Sequence, residues 1–283
     1  MNTKLRWIPL TLVLMVIGFS SQAQDKNFYI FLAFGQSNME GAAKFEEQDM
    51  DVDPRFQVLQ SIDCPDLNRE KGNWYPAIPP LTRCHTGLTP VDYFGRTLVE
   101  NLPDSIRVGV INVSVGGCRI ELFEKDKYKA YVETAPDWLK NMVKEYDGNP
   151  YHHLVELAKT AQNDGVIRGI LLHQGESNTG DKDWPQKVKG VYQNLLADLG
   201  LASEEVPLLA GEMVSAAQGG KCASMNSIIA TLPEVIPNAK VISSKDCEAV
   251  SDGLHFSAAG YRKLGRRYGA QMLSILENQS FNR

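Results

Sequence analysis

The sequence has little that would support a metal centre. Its 283 residues include five cysteines and five histidines, and no two cysteines form a C-x-x-C pair. The adjacent histidines His152 and His153 do not have the spacing typical of zinc ligands. We therefore expect no bound catalytic metal.

The sequence also lacks an excess of basic residues. Its formal net charge is -5 and its pI is near 5.6. A face that binds nucleic acid is usually strongly basic, so we exclude nucleic acid as a partner.

No apolar run is long enough to span a bilayer comfortably, which takes roughly 20 residues. Lys4 and Arg6 precede an apolar run of about 13 residues, Trp7 to Phe19, followed by the small-residue segment Ser21-Gln22-Ala23. This order is typical of an export signal, with an uncleaved anchor as the alternative. We expect residues 1–23 to be removed and the protein, from Gln24, to be secreted or periplasmic without stable membrane insertion.

Export would permit disulfides. The pairs to test are Cys64 with Cys84 and Cys222 with Cys247, which would leave Cys118 free. The sequence alone does not fix this connectivity.

Five short runs rich in β-branched or aromatic residues alternate with helical patterns, which predicts an α/β fold. We expect one domain over residues 24–283: a three-layer α/β/α, doubly wound, flavodoxin-like fold with a five-stranded parallel sheet in the order 2-1-3-4-5. Residues 46–87 are irregular and are interpreted as an insertion over or beside the ligand crevice. The predicted strands are Phe28–Phe34, Ile106–Val113, Val166–His173, Val206–Gly211 and Ala239–Ser243. The predicted helices are Asp92–Leu102, Tyr151–Asn163, Lys187–Leu199 and a C-terminal helix capped by Ser257.

Polar residues follow the strand ends, where such a fold places its ligand crevice. Ser37 follows the first strand, Gly116-Gly117 the second and Gln174 the third, while Asp252 and His255 precede the C-terminal helix. These are the parts that acyl transfer needs. His255 can act as the base for the Ser37 hydroxyl, and Asp252, three residues earlier, can orient the imidazole. The N–H groups of Gly117 and Ser37 and the amide of Gln174 can stabilise an oxyanion.

Each residue also has a purely structural interpretation. Ser37 can cap a helix, His255 can be a structural or surface histidine, and Asp252-Gly253 is a common turn. Ser177 and Ser114 are competing serines, and none of the three lies in G-x-S-x-G. Ser37 is preferred because it follows the first strand, beside the point where the strand order reverses. His173 is interpreted as structural, whereas His85 could touch substrate.

These segments, Gly35-Gln36-Ser37-Asn38-Met39, Gly116-Gly117, His173-Gln174-Gly175-Glu176-Ser177 and Asp252-Gly253-Leu254-His255, resemble the SGNH hydrolases. The chain looks most like the branch of sialate O-acetylesterases and carbohydrate esterase family 6, which includes acetylxylan esterases.

The resemblance implies Ser37 as nucleophile, His255 as base and Asp252 as the acid that orients it. It implies an oxyanion hole formed by Ser37, Gly117 and Gln174, where many relatives have asparagine in place of Gln174. Two positions depart from the family: Cys118 replaces a common threonine and Asn178 a common aspartate. The supporting or substrate-binding candidates are Gln36, Asn38 and Glu176.

The implied reaction is hydrolysis of sugar O-acetyl groups through an acetyl-serine intermediate, without a cofactor. Acetylated xylan or a related plant polysaccharide is the expected substrate. The alternatives are a sialic acid O-acetylesterase, an esterase for short acyl chains, or a non-catalytic carbohydrate-binding protein. Trp74, Tyr75 and Trp184 could stack on sugar rings or simply pack the 46–87 segment against the sheet.

Overall fold

The structure is a computed structural model that describes residues 24–281. The predicted export signal lies outside these residues. Within them the chain forms one seven-stranded sheet and nine α-helices. The strands are β1 (Asp25–Gly35), β2 (Phe56–Leu59), β3 (Trp74–Pro76), β4 (Arg107–Ser114), β5 (Gly165–His173), β6 (Leu208–Gly211) and β7 (Lys240–Ile242). The helices are α1 (Ser37–Glu40), α2 (Pro90–Asn101), α3 (Tyr128–Thr134), α4 (Asp137–Lys144), α5 (Pro150–Ala161), α6 (Trp184–Leu199), α7 (Asn226–Ile229), α8 (Leu232–Val235) and α9 (Ala258–Phe281).

The strand order is β3-β2-β4-β1-β5-β6-β7. Every neighbouring pair is parallel except β2 with β3. The five predicted strands are β1, β4, β5, β6 and β7, and they lie in the predicted order. The prediction of a five-stranded sheet was wrong, because two further strands extend the β4 edge.

Both additional strands come from the segment interpreted as an insertion. β2 pairs in parallel with β4, and β3 turns back to pair antiparallel with β2. They have four and three residues, too few for a period-2 pattern to stand out from the surrounding prolines. The segment 46–87 is therefore partly an edge of the sheet and not only a cover for the crevice.

Alternation along β1 produces the three layers. Ile30, Leu32 and Phe34 belong to the buried cluster on one face, which includes residues of α4, α5 and α6. Phe31 and Ala33 belong to the cluster on the other face, with α2 and α9. A parallel strand covered on both faces gives this continuous apolar run.

Two helix starts follow from local capping. α2 begins before the predicted position because the Thr89 side chain accepts from Val91 N and Asp92 accepts from Thr89 N, with Pro90 as first residue. Ser257 precedes α9 as predicted, and its Oγ lies 3.1 Å from the N–H of Gly260.

One of the two cysteine pairings is present. Cys64 and Cys84 form a disulfide, and Cys118 is free and buried. The pairing of Cys222 with Cys247 was wrong, since both thiols are free. Cys222 Sγ instead lies 3.7 Å from the carbonyl of Glu176, and Arg267 contacts Cys247 Sγ.

Of the helices within residues 24–281, none is both long and apolar enough to cross a membrane.

Candidate active site

Three strands end at the same level of the sheet. Gly35, the last residue of β1, pairs with Ser114 at the end of β4 and with His173 at the end of β5. A β-carbon at position 35 would lie 2.1 Å from the carbonyl oxygen of His173, so only glycine fits here. The segments that follow these strands are therefore neighbours, as the predicted topology requires.

Ser37, His255 and Asp252 form one chain of hydrogen bonds. Ser37 is half-buried at the start of α1, and its Oγ lies 2.8 Å from Nε2 of His255. Nδ1 of His255 lies 2.7 Å from Oδ2 of Asp252. The structure thus joins a hydroxyl, an imidazole and a carboxylate across 218 residues of sequence, in the geometry of a Ser-His-Asp triad.

The other oxygen of Asp252 fixes the loop. Oδ1 accepts from the N–H of Leu254 at 2.7 Å and from the N–H of His255 at 3.0 Å. Burial by itself would raise the pKa of Asp252, but hydrogen bonds from the His255 side chain and these N–H groups outweigh it and lower the pKa. Asp252 is therefore an ionised, oriented partner for the imidazole.

Asn38 ties the serine segment to the histidine loop on both sides of His255. Its Nδ2 donates to the carbonyl of Leu254 at 2.9 Å, and its Oδ1 accepts from the N–H of Phe256 at 3.4 Å. Oδ1 also accepts from the Tyr261 hydroxyl at 2.6 Å. Asn38 is fully buried, so its amide plane is fixed by these partners.

Glu176 accepts a hydrogen bond from the same Asn38 side-chain amide. Its Oε1 lies 2.5 Å from Nδ2 of Asn38. Burial raises the pKa of Glu176, against the opposing effects of hydrogen bonds and the charge of His255. His173 is buried beside it, and burial lowers the pKa of this imidazole to about 3. His173 is neutral and structural, as predicted.

Two backbone N–H groups remain available beside the serine. Gly117 is exposed and has φ +69°, a left-handed conformation that favours glycine. Among the hydrogen bonds within the described residues, none uses the N–H of Gly117 or of Ser37. The sequence prediction assigns both to the oxyanion hole, and a β-carbon on the neighbouring Gly116 would lie 3.8 Å from Cβ of Ser37.

Gln174 is tied into the protein more tightly than the resemblance implied. Its Nε2 lies 2.7 Å from Oδ1 of Asn178 and 3.2 Å from both Oε1 of Gln36 and the carbonyl of Cys118. Its Oε1 accepts from the indole N–H of Trp184. An amide nitrogen has two hydrogens, so Gln174 can donate to substrate only after giving up one of these bonds.

Gln36 connects the segments after β1 and β5. Its Oε1 accepts from Gln174 Nε2 at 3.2 Å and faces the N–H groups of Gly175 and Ser177 at 3.4 Å. Cys118, at a position where relatives often have threonine, has its Sγ 3.6 Å from the carbonyl of Gly35. Both side chains hold the crevice loops together.

The three aromatic residues that could stack on sugar or simply pack the 46–87 segment are found in packing positions. Trp184 is fully buried. Trp74 and Tyr75 are on β3 at the sheet edge, where Trp74 packs edge-on against Phe28. Sequence reasoning missed Trp138, whose ring lies against Gly117. Its position next to Asp137 at a helix start gave no local signal of this contact.

An α/β sheet of this order, with a Ser-His-Asp chain at its strand ends and no G-x-S-x-G elbow, defines an SGNH-like hydrolase fold. Residues 27–274 match the family described as carbohydrate esterase, sialic acid-specific acetylesterase. The chain belongs to this family of carbohydrate O-acetylesterases, and is therefore a carboxylic ester hydrolase by class.

Solved structures share the fold at low identity. A protein from Arabidopsis thaliana is 21% identical with a TM-score of 0.67, and the match covers 88% of this chain and 99% of that chain. NanS is 15% identical with a TM-score of 0.63, covering 90% and 99%. A carbohydrate acetylesterase from Xanthomonas citri is 15% identical with a TM-score of 0.61, covering 87% of this chain and 56% of that one.

Proposed function

We propose that this protein is a serine esterase that removes O-acetyl groups from carbohydrates, with Ser37 as nucleophile, His255 as general base and Asp252 as its orienting acid. The observation that carries the proposal is the hydrogen-bonded chain from Ser37 Oγ through His255 to Asp252. Family membership supplies the class of ester.

In this mechanism Ser37 Oγ attacks the acetyl carbonyl while Nε2 of His255 accepts the hydroxyl proton. The carbonyl oxygen becomes an oxyanion that accepts hydrogen bonds from the N–H groups of Ser37 and Gly117. Imidazolium then returns the proton to the sugar oxygen as the C–O bond breaks, which leaves acetyl-Ser37. Water then attacks this ester while His255 accepts its proton, and the imidazolium returns that proton to Ser37 Oγ as the C–O bond breaks and acetate leaves.

The first substrate class we propose is acetylated xylan or a related plant polysaccharide. A second candidate, O-acetylated sialic acid, is favoured by the description of the matched family. The two differ in charge, since sialic acid carries a carboxylate and xylan backbones are neutral.

Release of acetate from acetylated xylan, 9-O-acetylated sialic acid and methyl acetate tests the proposal. We expect turnover by the wild type and its loss in Ser37→Ala. Equal acetate release by a folded Ser37→Ala protein would refute the mechanism, and the ratio of rates on the two glycans decides between the substrates.

We also propose that residues 1–23 direct export, from the basic start and short apolar run of the sequence. Amino-terminal sequencing of protein recovered outside the cytoplasm should find a new terminus near Gln24. An intact Met1 on the exported protein would contradict cleavage.

A further inference from the structure

We propose that Trp138 is the stacking platform for the sugar ring that carries the acetyl group, and that the charges of a nearby cavity favour neutral glycans. This inference rests on the proposed function, because it places the platform beside the oxyanion glycine of that mechanism.

Trp138 is the most exposed large hydrophobic side chain of the described residues, at 53% of its surface. A single exposed apolar side chain is ordinary on a protein surface, so what singles out this ring is its position against Gly117. The amphipathic ring suits the CH-rich face of a sugar.

The contact between Trp138 and Gly117 places this ring at the reaction centre. A β-carbon at position 117 would lie 2.7 Å from Cη2 of Trp138 and 3.3 Å from Cζ3. The six-membered part of the indole therefore lies directly against the glycine whose N–H is free to stabilise an oxyanion. A β-carbon on the preceding Gly116 would lie 3.8 Å from Cβ of Ser37, so a sugar on this ring would lie close to the nucleophile.

The helix that carries Trp138 packs on the core through one side. Leu139 and Val143 of α4 are buried in the core. Trp138, Met142 and Glu145 follow one another at helical spacing on the adjacent face. The backbone at Trp138 therefore belongs to a helix that packs on the core.

A cavity lies at the C-terminal end of the same helix. About 390 Å³ in volume, it is lined by residues that include Asp63, Arg83, His85 and Glu145. Glu145 is seven residues beyond Trp138, a helical rise of about 10 Å. A further sugar unit of the same chain can occupy this cavity while the acetylated unit lies on Trp138.

The charges of this cavity favour a neutral glycan. Its one arginine, Arg83, pairs with Glu40 at 2.7 Å and with Glu145 at 2.8 Å. With Asp63 also on the wall, carboxylates outnumber the cation that a sialic acid carboxylate would need. Like charges across a binding site disfavour an anionic ligand.

The test compares substrates with and without a sugar ring. For Trp138→Ala we expect KM for acetylated xylo-oligosaccharides and manno-oligosaccharides to rise about tenfold with kcat nearly unchanged. Hydrolysis of methyl acetate, which has no ring to stack, should stay within about twofold. Trp138→Phe should recover most of the loss, and Met50→Ala, another exposed apolar residue at 43%, should show none.

Equal losses on glycan and methyl acetate would overturn the platform, because Trp138 would then act on Gly117 alone. No loss on either substrate would overturn it as well. A lower KM for 9-O-acetylated sialic acid than for both neutral glycans would overturn the neutral selectivity.

A binding experiment with catalytically inactive protein tests this inference separately from the proposed function. We expect Ser37→Ala to bind xylo- or manno-oligosaccharides in a calorimetric titration, and Ser37→Ala/Trp138→Ala to bind at least about fivefold more weakly. This difference would support the platform even if the wild type released no acetate. Equal binding by the two proteins, or binding of neither sugar, would reject it.

Discussion

Two loops of this protein carry nearly the same residues and do different work. Gly35-Gln36-Ser37-Asn38 follows β1, and Gly175-Glu176-Ser177-Asn178 follows β5. Both start from a glycine at φ 158° and both place the serine in a short helical turn. We refer to them as the β1 loop and the β5 loop.

Their contacts separate them. The β1 loop serine meets His255, whereas Ser177 Oγ donates to the carbonyl of Gly117 at 2.9 Å. Asn38 of the β1 loop binds the histidine loop, while Oδ1 of Asn178 accepts from Gln174 and from the N–H of Ile120. A local sequence pattern therefore supplies the backbone geometry, and the partner that the fold delivers decides the chemistry.

The largest effect is expected when the serine of each loop is replaced, one at a time, by alanine. Ser37→Ala should lower kcat/KM for acetate release about 10⁴-fold or more, because the attacking atom is lost. Ser177→Ala should lower it no more than about tenfold, through a looser Gly117. Initial rates on one acetylated glycan measure both, and a larger loss in Ser177→Ala would reverse the assignment.

Asp252→Asn should have the next largest effect, a loss of about 10²–10⁴ in kcat. Asparagine can satisfy the N–H groups of Leu254 and His255, but its NH2 then faces Nδ1 and favours the wrong imidazole tautomer. Since the pKa of Asp252 is lowered on folding, its stabilising effect is present above pH about 3.8 and is lost as the pH falls through the lowered value. The Tm values of wild type and Asp252→Asn should therefore differ at neutral pH and converge in acid. An unchanged kcat in Asp252→Asn would exclude Asp252 as the orienting acid.

The two asparagines give a sharper and smaller contrast. Asn38→Ala should lower kcat about 10–100-fold with little change in KM, because both ties to the histidine loop are lost. Asn178→Ala is the matched control, since it is equally buried but has no tie to that loop; it should cost stability, about 1–3 kcal/mol from unpaired buried groups, more than kcat. Kinetics with denaturant unfolding measure both, and an identical kcat loss would contradict separate roles.

The smallest effect is expected at the position where the two loops differ, which is Gln36 in the β1 loop and Glu176 in the β5 loop. Glu176→Gln keeps an acceptor for Asn38 but removes a carboxyl whose pKa burial raises. A raised folded pKa makes wild-type stability fall as the pH rises from the ordinary carboxyl range through that value. The variant should gain Tm relative to wild type as the pH rises from 4 to 8, by a few degrees, with kcat a few-fold lower because the negative charge near His255 is gone. A Tm difference that stays constant with pH would contradict this account.

The central strands were predictable because β1, β4 and β5 are long and apolar on both faces. β2 and β3 were not, since three or four residues give no period and their pairing is decided by the β4 edge. Ser37 was predictable from its place after the first strand, and Asp252 and His255 from their place in the loop before the C-terminal helix. The pairing of Cys222 failed because the nearest approach of its thiol, to Glu176, depends on a loop packing that spacing does not encode.

Trp138 shows the same limit at the site. Its neighbours Leu139 and Val143 are buried in the core, but contact with Gly117 depends on how α4 packs on the loop after β4. Gln174 illustrates the converse: its place in the crevice was predictable, while its bonds to Asn178 and Trp184 required the full packing.

The most direct test of the central claim is mass spectrometry of the protein quenched in acid during turnover of an acetylated glycan. The account predicts one acetyl group on the peptide that contains Ser37, absent from Ser37→Ala and retained in Ser177→Ala. An acetyl group on Ser177, or turnover with an acetyl group on no serine, would contradict it.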